Sequence, residues 1–224
     1  LTSVPDGVTE MSWAPNSKKV AFISDVDPDR LPANHDHKKE PRVRIAQRIT
    51  YRADGLGWRG SSRRHLFVID VPESTILQLT SGDWDDASPR WSPDGLNIAF
   101  ISARKGENDI SRQTEAYVIP SSGGTPVEYS SGLHTVGSIT WSPSGDRLVV
   151  IGTDDPEIQA YSQGYFYLLS PHSQPIKLTT DEIKPAVGLP PLSTSPDIKW
   201  TSQDELIFMA DKKLYPFAIK STVI

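Results

Sequence analysis

The sequence of 224 residues predicts an all-β fold, a segment of a β-propeller with about four blades of four antiparallel strands. Three observations predict it. A stretch of Trp, polar turn and apolar run occurs four times, and a second strand–turn–strand stretch follows the first three copies. Equivalent positions in the second and third copies, Trp91 and Trp141, are 50 residues apart (141 − 91).

The copy at 89–102, PRWSPDGLNIAFIS, shows why each stretch predicts a β-hairpin. In Ser-Pro-Asp-Gly, Pro presets φ, Asp bonds nearby backbone and Gly accepts a positive φ, which favours a tight turn. The apolar run that follows has the length of a strand. The other copies are MSWAPNSKKVAFIS, ITWSPSGDRLVVIG and IKWTSQDELIFMAD, at 11–24, 139–152 and 198–211.

The tryptophan of each copy persists while the turn varies, which predicts a large side chain buried between blades. These residues are Trp13, Trp91, Trp141 and Trp200. The second hairpin of the unit is HLFVIDVPESTILQLT, EAYVIPSSGGTPVEYS or YFYLLSPHSQPIKLTT, at 65–80, 115–130 and 165–180. An ordinary β-sandwich with accidental internal similarity is the alternative.

The repeat also predicts the domain organisation, a partial propeller over 1–224. Both ends fall inside a blade, as expected of an excerpt of a longer propeller. The alternative is a closed four-bladed ring, in which the N-terminal strand completes the last blade and removes the exposed edges. The predicted blades are about 1–80, with an insertion at about 26–64, then about 81–131, about 132–180 and, incomplete, about 181–224.

Composition narrows the function classes. A net charge of −5 does not favour nucleic acid as a partner. The absence of cysteine excludes disulfides, thiol catalysis and cysteine zinc sites. No run of eighteen apolar residues is present, so no membrane span is expected. We expect no cofactor, and a homo-oligomer is compatible with the sequence.

Blade one carries a basic insertion. Trp13 and Trp91 are 78 positions apart (91 − 13), about 28 more than the repeat. Residues 38–64 hold nine basic and two acidic side chains, a net +7, whereas the remainder holds 14 basic and 26 acidic, a net −12. Loops inserted on a rigid scaffold commonly carry function.

Four arginines of the insertion are candidates for binding a substrate carboxylate, because Arg binds carboxylates through two charge-assisted hydrogen bonds. Their near-alternate spacing can place several on one side of an extended segment. They are Arg42, Arg44, Arg48 and Arg52. Arg63 and Arg64 are nearer a blade strand, and a structural role is expected for them. The alternative is that all these cations are solvated or pair with acidic groups of a partner domain.

Other motifs are assigned no chemistry. GLGWRG at 55–60 matches a dinucleotide-binding pattern, but a β-rich run follows it where a helix is required. The sequence indicates no further metal ligand beside His35, Asp36 and His37, and structural metal sites usually have four, so no metal site is assigned there. No Gly-x-Ser-x-Gly elbow occurs, no histidine has a recognisable catalytic setting, and no catalytic or metal-binding residue is assigned. Four aspartates are expected to bond turn backbones rather than a cation: Asp83, Asp85, Asp86 and Asp94.

Taken together, the repeats resemble the WD40-like propellers of TolB-like proteins and of the prolyl oligopeptidase family of serine peptidases. Residues 41–71 resemble the early-blade insertion of the acylaminoacyl-peptidase branch. There a basic Arg-Tyr-Arg-x-Asp-Gly stretch leads into Arg-Arg-His-Leu-Phe-Val-Val-Asp-Val and then Gln-Leu-Thr. This chain has Tyr51 to Gly55, Arg63 to Val71 and Gln78 to Thr80 at the matching positions.

The resemblance implies a non-catalytic propeller that gates substrate entry in a serine peptidase of short or N-acylated peptides. Its implied partners are a C-terminal α/β-hydrolase domain of the parent chain, which bears Ser, Asp and His, and short peptide substrates. None of those catalytic residues matches a position here. The alternative is a TolB-like scaffold for protein interactions without activity. A basic-loop nucleic-acid binder is a third hypothesis. We expect a cytoplasmic location, or a periplasmic one for the TolB-like alternative.

Overall fold

The structure is a computed structural model that describes most of the chain. Its described residues form seventeen strands and no helix, so the predicted all-β propeller segment is confirmed. Among them, no helix has the length and apolarity needed to cross a membrane. The described residues are 4, 7–28, 45–46, 48–53, 57–105, 110–111, 113–157, 164–181, 183, 185, 198–203, 205–210 and 213–220.

Sheet one is antiparallel and holds four strands in the order β1-β2-β5-β6. A short hairpin, β3 with β4, lies between β2 and β5 in the chain and pairs Arg52 with Trp58. The six strands are β1 (Glu10–Trp13), β2 (Lys19–Val26), β3 (Arg52–Ala53), β4 (Gly57–Trp58), β5 (Arg63–Asp70) and β6 (Thr75–Gln78).

Sheets two and three repeat this four-stranded antiparallel pattern in chain order, and sheet four shows three strands within the described residues. Sheet two comprises β7 (Asp86–Trp91), β8 (Asn97–Ser102), β9 (Glu115–Pro120) and β10 (Val127–Glu128). Sheet three comprises β11 (Thr135–Trp141), β12 (Leu148–Thr153), β13 (Tyr165–Leu169) and β14 (Ile176–Lys177). Sheet four comprises β15 (Lys199–Ser202), β16 (Glu205–Ala210) and β17 (Lys213–Lys220).

The hydrophobic core lies between successive sheets. Alternate strand residues point to opposite faces, so the central strands bury both sides. Ile23 and Leu66 of sheet one pack against Phe100 and Tyr117 of sheet two, and further clusters join sheets two and three and sheets three and four. Within the described residues, sheet four does not return to sheet one to close a ring.

One tryptophan contact repeats at the first two junctions. The indole nitrogen of Trp91 donates to the Ser12 carbonyl at 2.9 Å, and that of Trp141 donates to the Arg90 carbonyl at 2.9 Å. Each acceptor directly precedes the tryptophan of the preceding sheet. Trp91 and Trp141 are both 8% exposed, as predicted, since the preceding sheet covers the ring and satisfies its N–H.

The other two tryptophans depart from the prediction. Trp13 is 53% exposed, so its predicted burial is wrong. It pairs with Val20 on the face of sheet one that points away from sheet two, where no preceding sheet covers it within the described residues. Trp200 is half-buried in the cluster between sheets three and four, and its indole nitrogen has no hydrogen-bond partner.

The predicted turn chemistry is present in the hairpins. Gly95 has φ +72° and its N–H donates to the Ser92 carbonyl at 2.9 Å. The Asp94 carboxylate accepts from the Ser92 hydroxyl at 2.5 Å and from the Leu96 N–H at 2.9 Å, and these bonds lower the pKa of Asp94. In the first copy Ser17 takes the equivalent positive-φ position, at 56°.

Replacing Gly95 with Ala is expected to lower the free energy of unfolding by about 1 kcal/mol, because a Cβ is strained at positive φ. An added Cβ would lie 3.6 Å from Pro15 Cδ, an ordinary contact, so steric overlap adds nothing. Urea unfolding measures the change. Gly137→Ala is the matched control, since Gly137 lies in a strand without positive φ and its nearest neighbour would be 3.9 Å away. Equal losses in both variants would contradict the assignment.

Candidate functional site

The two edges of the sheets differ in the length of their connections. At one edge, turns of 4 to 6 residues join β1 to β2, β5 to β6, β7 to β8 and the equivalent pairs of sheets two and three. At the other edge, the connections from β2 to β5, β8 to β9 and β12 to β13 span 36, 12 and 11 residues. This long-connection edge therefore carries the sequence that the fold itself does not require.

A cleft of about 580 Å³ opens at the long-connection edge of sheet one. Val26 and Pro28 line it beside the end of β2, Arg63 lies at the start of β5, and the loop 81–83 closes another side. Arg48 of the insertion also lines the cleft. Its walls thus combine two cations with a small apolar surface.

Asp83 holds the two arginines of the cleft together. Its Oδ1 accepts a hydrogen bond from Nη1 of Arg48 and another from Nε of Arg63, the latter at 2.9 Å. The Arg63 side chain is buried, whereas the Asp83 side chain is 69% exposed. Nη1 of Arg63 also donates to the Ser62 carbonyl at 2.6 Å, and its Nη2 is buried without a hydrogen-bond partner.

A second aspartate anchors the insertion next to the cleft. Asp85 accepts from Nη2 of Arg59 at 2.7 Å and from the backbone N–H of Arg64 at 2.9 Å. Burial alone would raise the pKa of Asp85, but these two bonds and the two guanidinium charges outweigh it and hold the pKa below its usual range. Asp85 is therefore a carboxylate at neutral pH and a fixed counter-charge for the insertion.

The sequence-predicted arginines have different positions. Arg42 and Arg44 lie outside the described residues, as do His35, Asp36 and His37. Arg48 lines the cleft and pairs with Asp83, a partner within the same chain. Arg52 is exposed in β3 and does not line the cleft. Arg63, for which a structural role was expected, lies beside Arg48, and only the tertiary fold brings these two together.

The four aspartates predicted to bond turn backbones have different partners in the structure. Asp94 bonds its own turn, as predicted. Asp83 and Asp85 instead pair mainly with arginines, and Asp86 is fully buried. Asp86 accepts from the Ser102 hydroxyl at 2.5 Å and lies 3.4 Å from Nδ1 of His65. Among the described residues no group of three or more acidic or histidine side chains is arranged to hold a metal.

Ser102, Asp86 and His65 are not arranged as a hydrolytic triad. The Ser102 hydroxyl donates to the carboxylate and not to the imidazole, so this group lacks the hydrogen bond between nucleophile and base that activates serine. The same residues instead hold Arg104, whose Nε donates to the Ser102 oxygen at 2.8 Å. The cluster is therefore a buried polar network at the junction of sheets one and two.

Arg104 is enclosed by aromatic rings. Its guanidinium carbon lies 5.1 Å from the Trp84 ring, 5.2 Å from Phe100 and 4.7 Å from Tyr117. Cation–π contacts of this kind stabilise a charge that is partly removed from water. Trp84 belongs to the same loop as Asp83 and Asp85, so the stack fixes the loop that also closes the cleft.

Glu115, the first residue of β9, is the most unusual group of this junction. It is 0% exposed, and the Arg104 backbone N–H and the Gln113 side chain approach its carboxylate without reaching normal hydrogen-bond geometry. Burial raises the pKa of Glu115 to about 7, the Lys105 charge opposes this, and the Glu128 charge adds to it. No sequence motif marks this residue, although its alternation with Tyr117 and Ile119 places it on the same buried face.

No family model matches the sequence. The chain is 26% identical over 125 residues to the uncharacterized peptidase YuxL of Bacillus subtilis, covering 53% of this chain and 18% of that protein. It is 34% identical over 89 residues to the Tol-Pal system protein TolB of Wolbachia pipientis, covering 40% of this chain and 20% of TolB. The chain spans about a fifth of the length of these relatives.

Among solved structures, the acylaminoacyl peptidase of Pyrococcus horikoshii superposes with a TM-score of 0.61 at 13% identity. The match covers 91% of this chain and 28% of that one, and at this identity it shows the fold alone. The class defined by the fold is thus a β-propeller segment of the type that peptidases and TolB share. Within that class, the sequence is similar to a peptidase, and the fold is similar to the propellers of acylaminoacyl peptidases.

Proposed function

We propose that the chain is the non-catalytic propeller portion of a serine peptidase, and that it gates access of short or N-acylated peptides to the catalytic site. A C-terminal α/β-hydrolase domain of the parent chain is the proposed partner, and the cytoplasm is the proposed location. The propeller supplies steric selection, because a rigid rim excludes large substrates while side chains at the rim bind small ones.

The observation that carries this proposal is the asymmetry of the two edges. The connections from sheets one, two and three that exceed 10 residues all lie at one edge, and the basic cleft opens there too. A partner domain placed over this edge would meet Arg48, Arg59 and Arg64 at the mouth of a chamber. The opposite edge consists of short turns, so few residues there are available to bind a partner or a substrate.

The TolB similarity favours a second candidate function. The match to TolB, of 34% identity over 89 residues, supports a TolB-like propeller, and the function we propose for that alternative is a protein-interaction scaffold without activity. A periplasmic location would accompany that function. Both candidates predict that the 224-residue chain alone hydrolyses nothing, so the parent protein distinguishes them.

The deciding experiment is an assay of the protein encoded by the complete gene. With N-acetyl-alanine p-nitroanilide as substrate, the peptidase proposal predicts turnover that a serine-directed fluorophosphonate abolishes. The 224-residue chain serves as the inactive control. A complete gene product with no hydrolase domain and no turnover would overturn the peptidase proposal and favour the scaffold.

Arg52→Ala in the complete protein tests the substrate role of the exposed insertion arginines. Loss of the Arg52 charge removes part of the positive field that attracts a substrate carboxylate, so kcat/KM is expected to fall about threefold for peptides with a free C-terminus. The C-terminal amides of the same peptides should change little. Arg90→Ala, an exposed arginine on β7, is the matched control. Equal effects on acids and amides would leave Arg52 a structural residue.

A further inference from the structure

We propose that Arg48 and Arg63 form a carboxylate clamp in the cleft, that Asp83 occupies it in the free protein, and that the C-terminal carboxylate of a short peptide displaces Asp83. The peptide class of the ligand rests on the proposed function, whereas the clamp itself rests on the geometry below. Of the two arginines, Arg63 was not expected to bind a ligand.

The first argument is that the two arginines already hold a carboxylate. One oxygen of Asp83 accepts from both Arg48 and Arg63, so the cations converge on a single anionic group. Arginine recognises a side-chain carboxylate and a peptide C-terminus by the same planar donor geometry. Asp83 therefore shows where a ligand carboxylate would bind.

The second argument is that Asp83 is easily displaced. Its side chain is 69% exposed, and ion pairs that one exposed partner makes contribute little stability, because water and salt compete for the charge. Arg63 is different, since its side chain is only 7% exposed and is held by the Ser62 carbonyl. The clamp thus has one fixed, buried cation and an exchangeable anion.

The third argument is that one donor of the clamp, on Arg63, has no partner while Asp83 occupies it. Nη2 of Arg63 is buried and has no hydrogen-bond partner. An unmet buried donor is unfavourable. When the exposed Asp83 side chain rotates toward solvent, a ligand carboxylate that takes its place with both oxygens would reach this nitrogen and gain a bond that the free protein lacks.

The walls of the cleft define the rest of the ligand. The guanidinium groups of Arg48 and Arg63 both pair with the Asp83 carboxylate, so the position of that carboxylate favours an anionic group of the ligand. Val26 and Pro28 offer apolar contact beside the clamp. A volume of about 580 Å³ lies in the range of small-molecule sites. These features fit a dipeptide or acylated amino acid with a free C-terminus.

Calorimetric titration of the 224-residue chain tests the clamp without any assay of turnover. The probes are N-acetyl-alanyl-alanine, its C-terminal amide, and acetate. Asp83→Ala is expected to bind the free acid at least tenfold more tightly than the unmodified chain, because the internal competitor is gone. The amide should bind at least tenfold more weakly than the acid, and acetate more weakly than the dipeptide acid.

Two further variants and a control distinguish a specific effect on the clamp from a general loss of folding. Arg63→Lys in the Asp83→Ala background should abolish the gain, and Ser81→Phe, which places a bulky ring at a residue that lines the cleft, should do the same. Arg90→Lys, away from the cleft, is the matched control and should retain it. No gain in Asp83→Ala, or equal binding of acid and amide, overturns the clamp. Equal binding of acetate and dipeptide acid overturns the peptide assignment.

The outcomes also separate the clamp from the proposed function. Tight binding of the dipeptide acid by the 224-residue chain, together with a complete protein that lacks hydrolase activity, would retain the clamp and reject the peptidase. Turnover by the complete protein without any binding by the chain would reject the clamp alone.

Discussion

Replacing Glu115 with Gln is expected to stabilise the protein by about 2–3 kcal/mol at pH 8.5 and to have almost no effect at pH 4. The carboxylate is fully buried and only the Arg104 backbone N–H and the Gln113 side chain approach it, outside normal hydrogen-bond geometry, so its charged form is poorly solvated. Gln has the same shape and no charge. The gain should therefore appear only where Glu115 would otherwise ionise.

The sign of the pH dependence follows from proton binding. The pKa of Glu115 is about 7 in the folded protein against an ordinary value of 4.5, a difference that corresponds to about 3 kcal/mol. Below pH 4.5 both states are protonated, and the favourable contribution is fully present. Between pH 4.5 and 7 the unfolded state holds fewer protons, so stability falls as pH rises, and above 7 the loss is complete.

The charges that face Glu115 set the size of this effect. Lys105 lowers its pKa, but Lys105 also pairs with Glu128 at 2.7 Å, which weakens its influence on Glu115. Arg104 is directed toward Asp86 and the surrounding rings. Burial is the largest cause of the shift, and the nearby cations do not cancel it.

Urea unfolding of both proteins between pH 4 and 8.5 checks this prediction. The unmodified chain should lose stability from pH 4.5 to 7 relative to Glu115→Gln, and the two curves should run parallel outside that interval. Glu73→Gln in an exposed turn is the matched control and should leave the curve unchanged. Curves for Glu115→Gln and the unmodified chain that run parallel throughout would contradict a buried, raised pKa.

The hairpins could be predicted from the sequence because their determinants are local. Ser-Pro-Asp-Gly encodes its own turn, and the bonds among Ser92, Asp94 and Gly95 span no more than a few residues. The persistence of the Trp in each copy predicted its burial, and Trp91 and Trp141 are buried because each has a preceding sheet. Trp13 shows the limit of that inference, since burial depends on a neighbour and not on the residue.

The candidate site could be predicted only in part. A net charge of +7 over 38–64 marked the insertion as basic, but it could not show which cations meet a counter-charge. Asp83 is 35 positions from Arg48 and 20 from Arg63, so their convergence arises from the fold. Glu115 was missed for the same reason, because its burial depends on how sheet two packs against sheet one.

Replacing Gly82 with Ala is expected to lower the free energy of unfolding by about 3 kcal/mol. Gly82 has φ +145°, a conformation that strains an L side chain, and an added Cβ would lie 2.1 Å from Cη2 of Trp84. The Trp84 ring cannot move away freely, because Arg104 stacks on it. Overpacking of this kind typically costs about 1–3 kcal/mol in addition to the backbone strain.

Gly123→Ala separates the two contributions to this loss. Gly123 also has a positive φ, +95°, but an added Cβ there meets nothing within 4 Å, so that variant should lose only about 1 kcal/mol. Trp84→Leu provides the second arm, since a smaller side chain leaves room for the Cβ. In the double variant the Gly82→Ala loss should shrink to that of Gly123→Ala, as thermal and urea unfolding would show. An undiminished loss would mean that the Trp84 ring does not pack on Gly82, and that the stack does not fix the loop carrying Asp83.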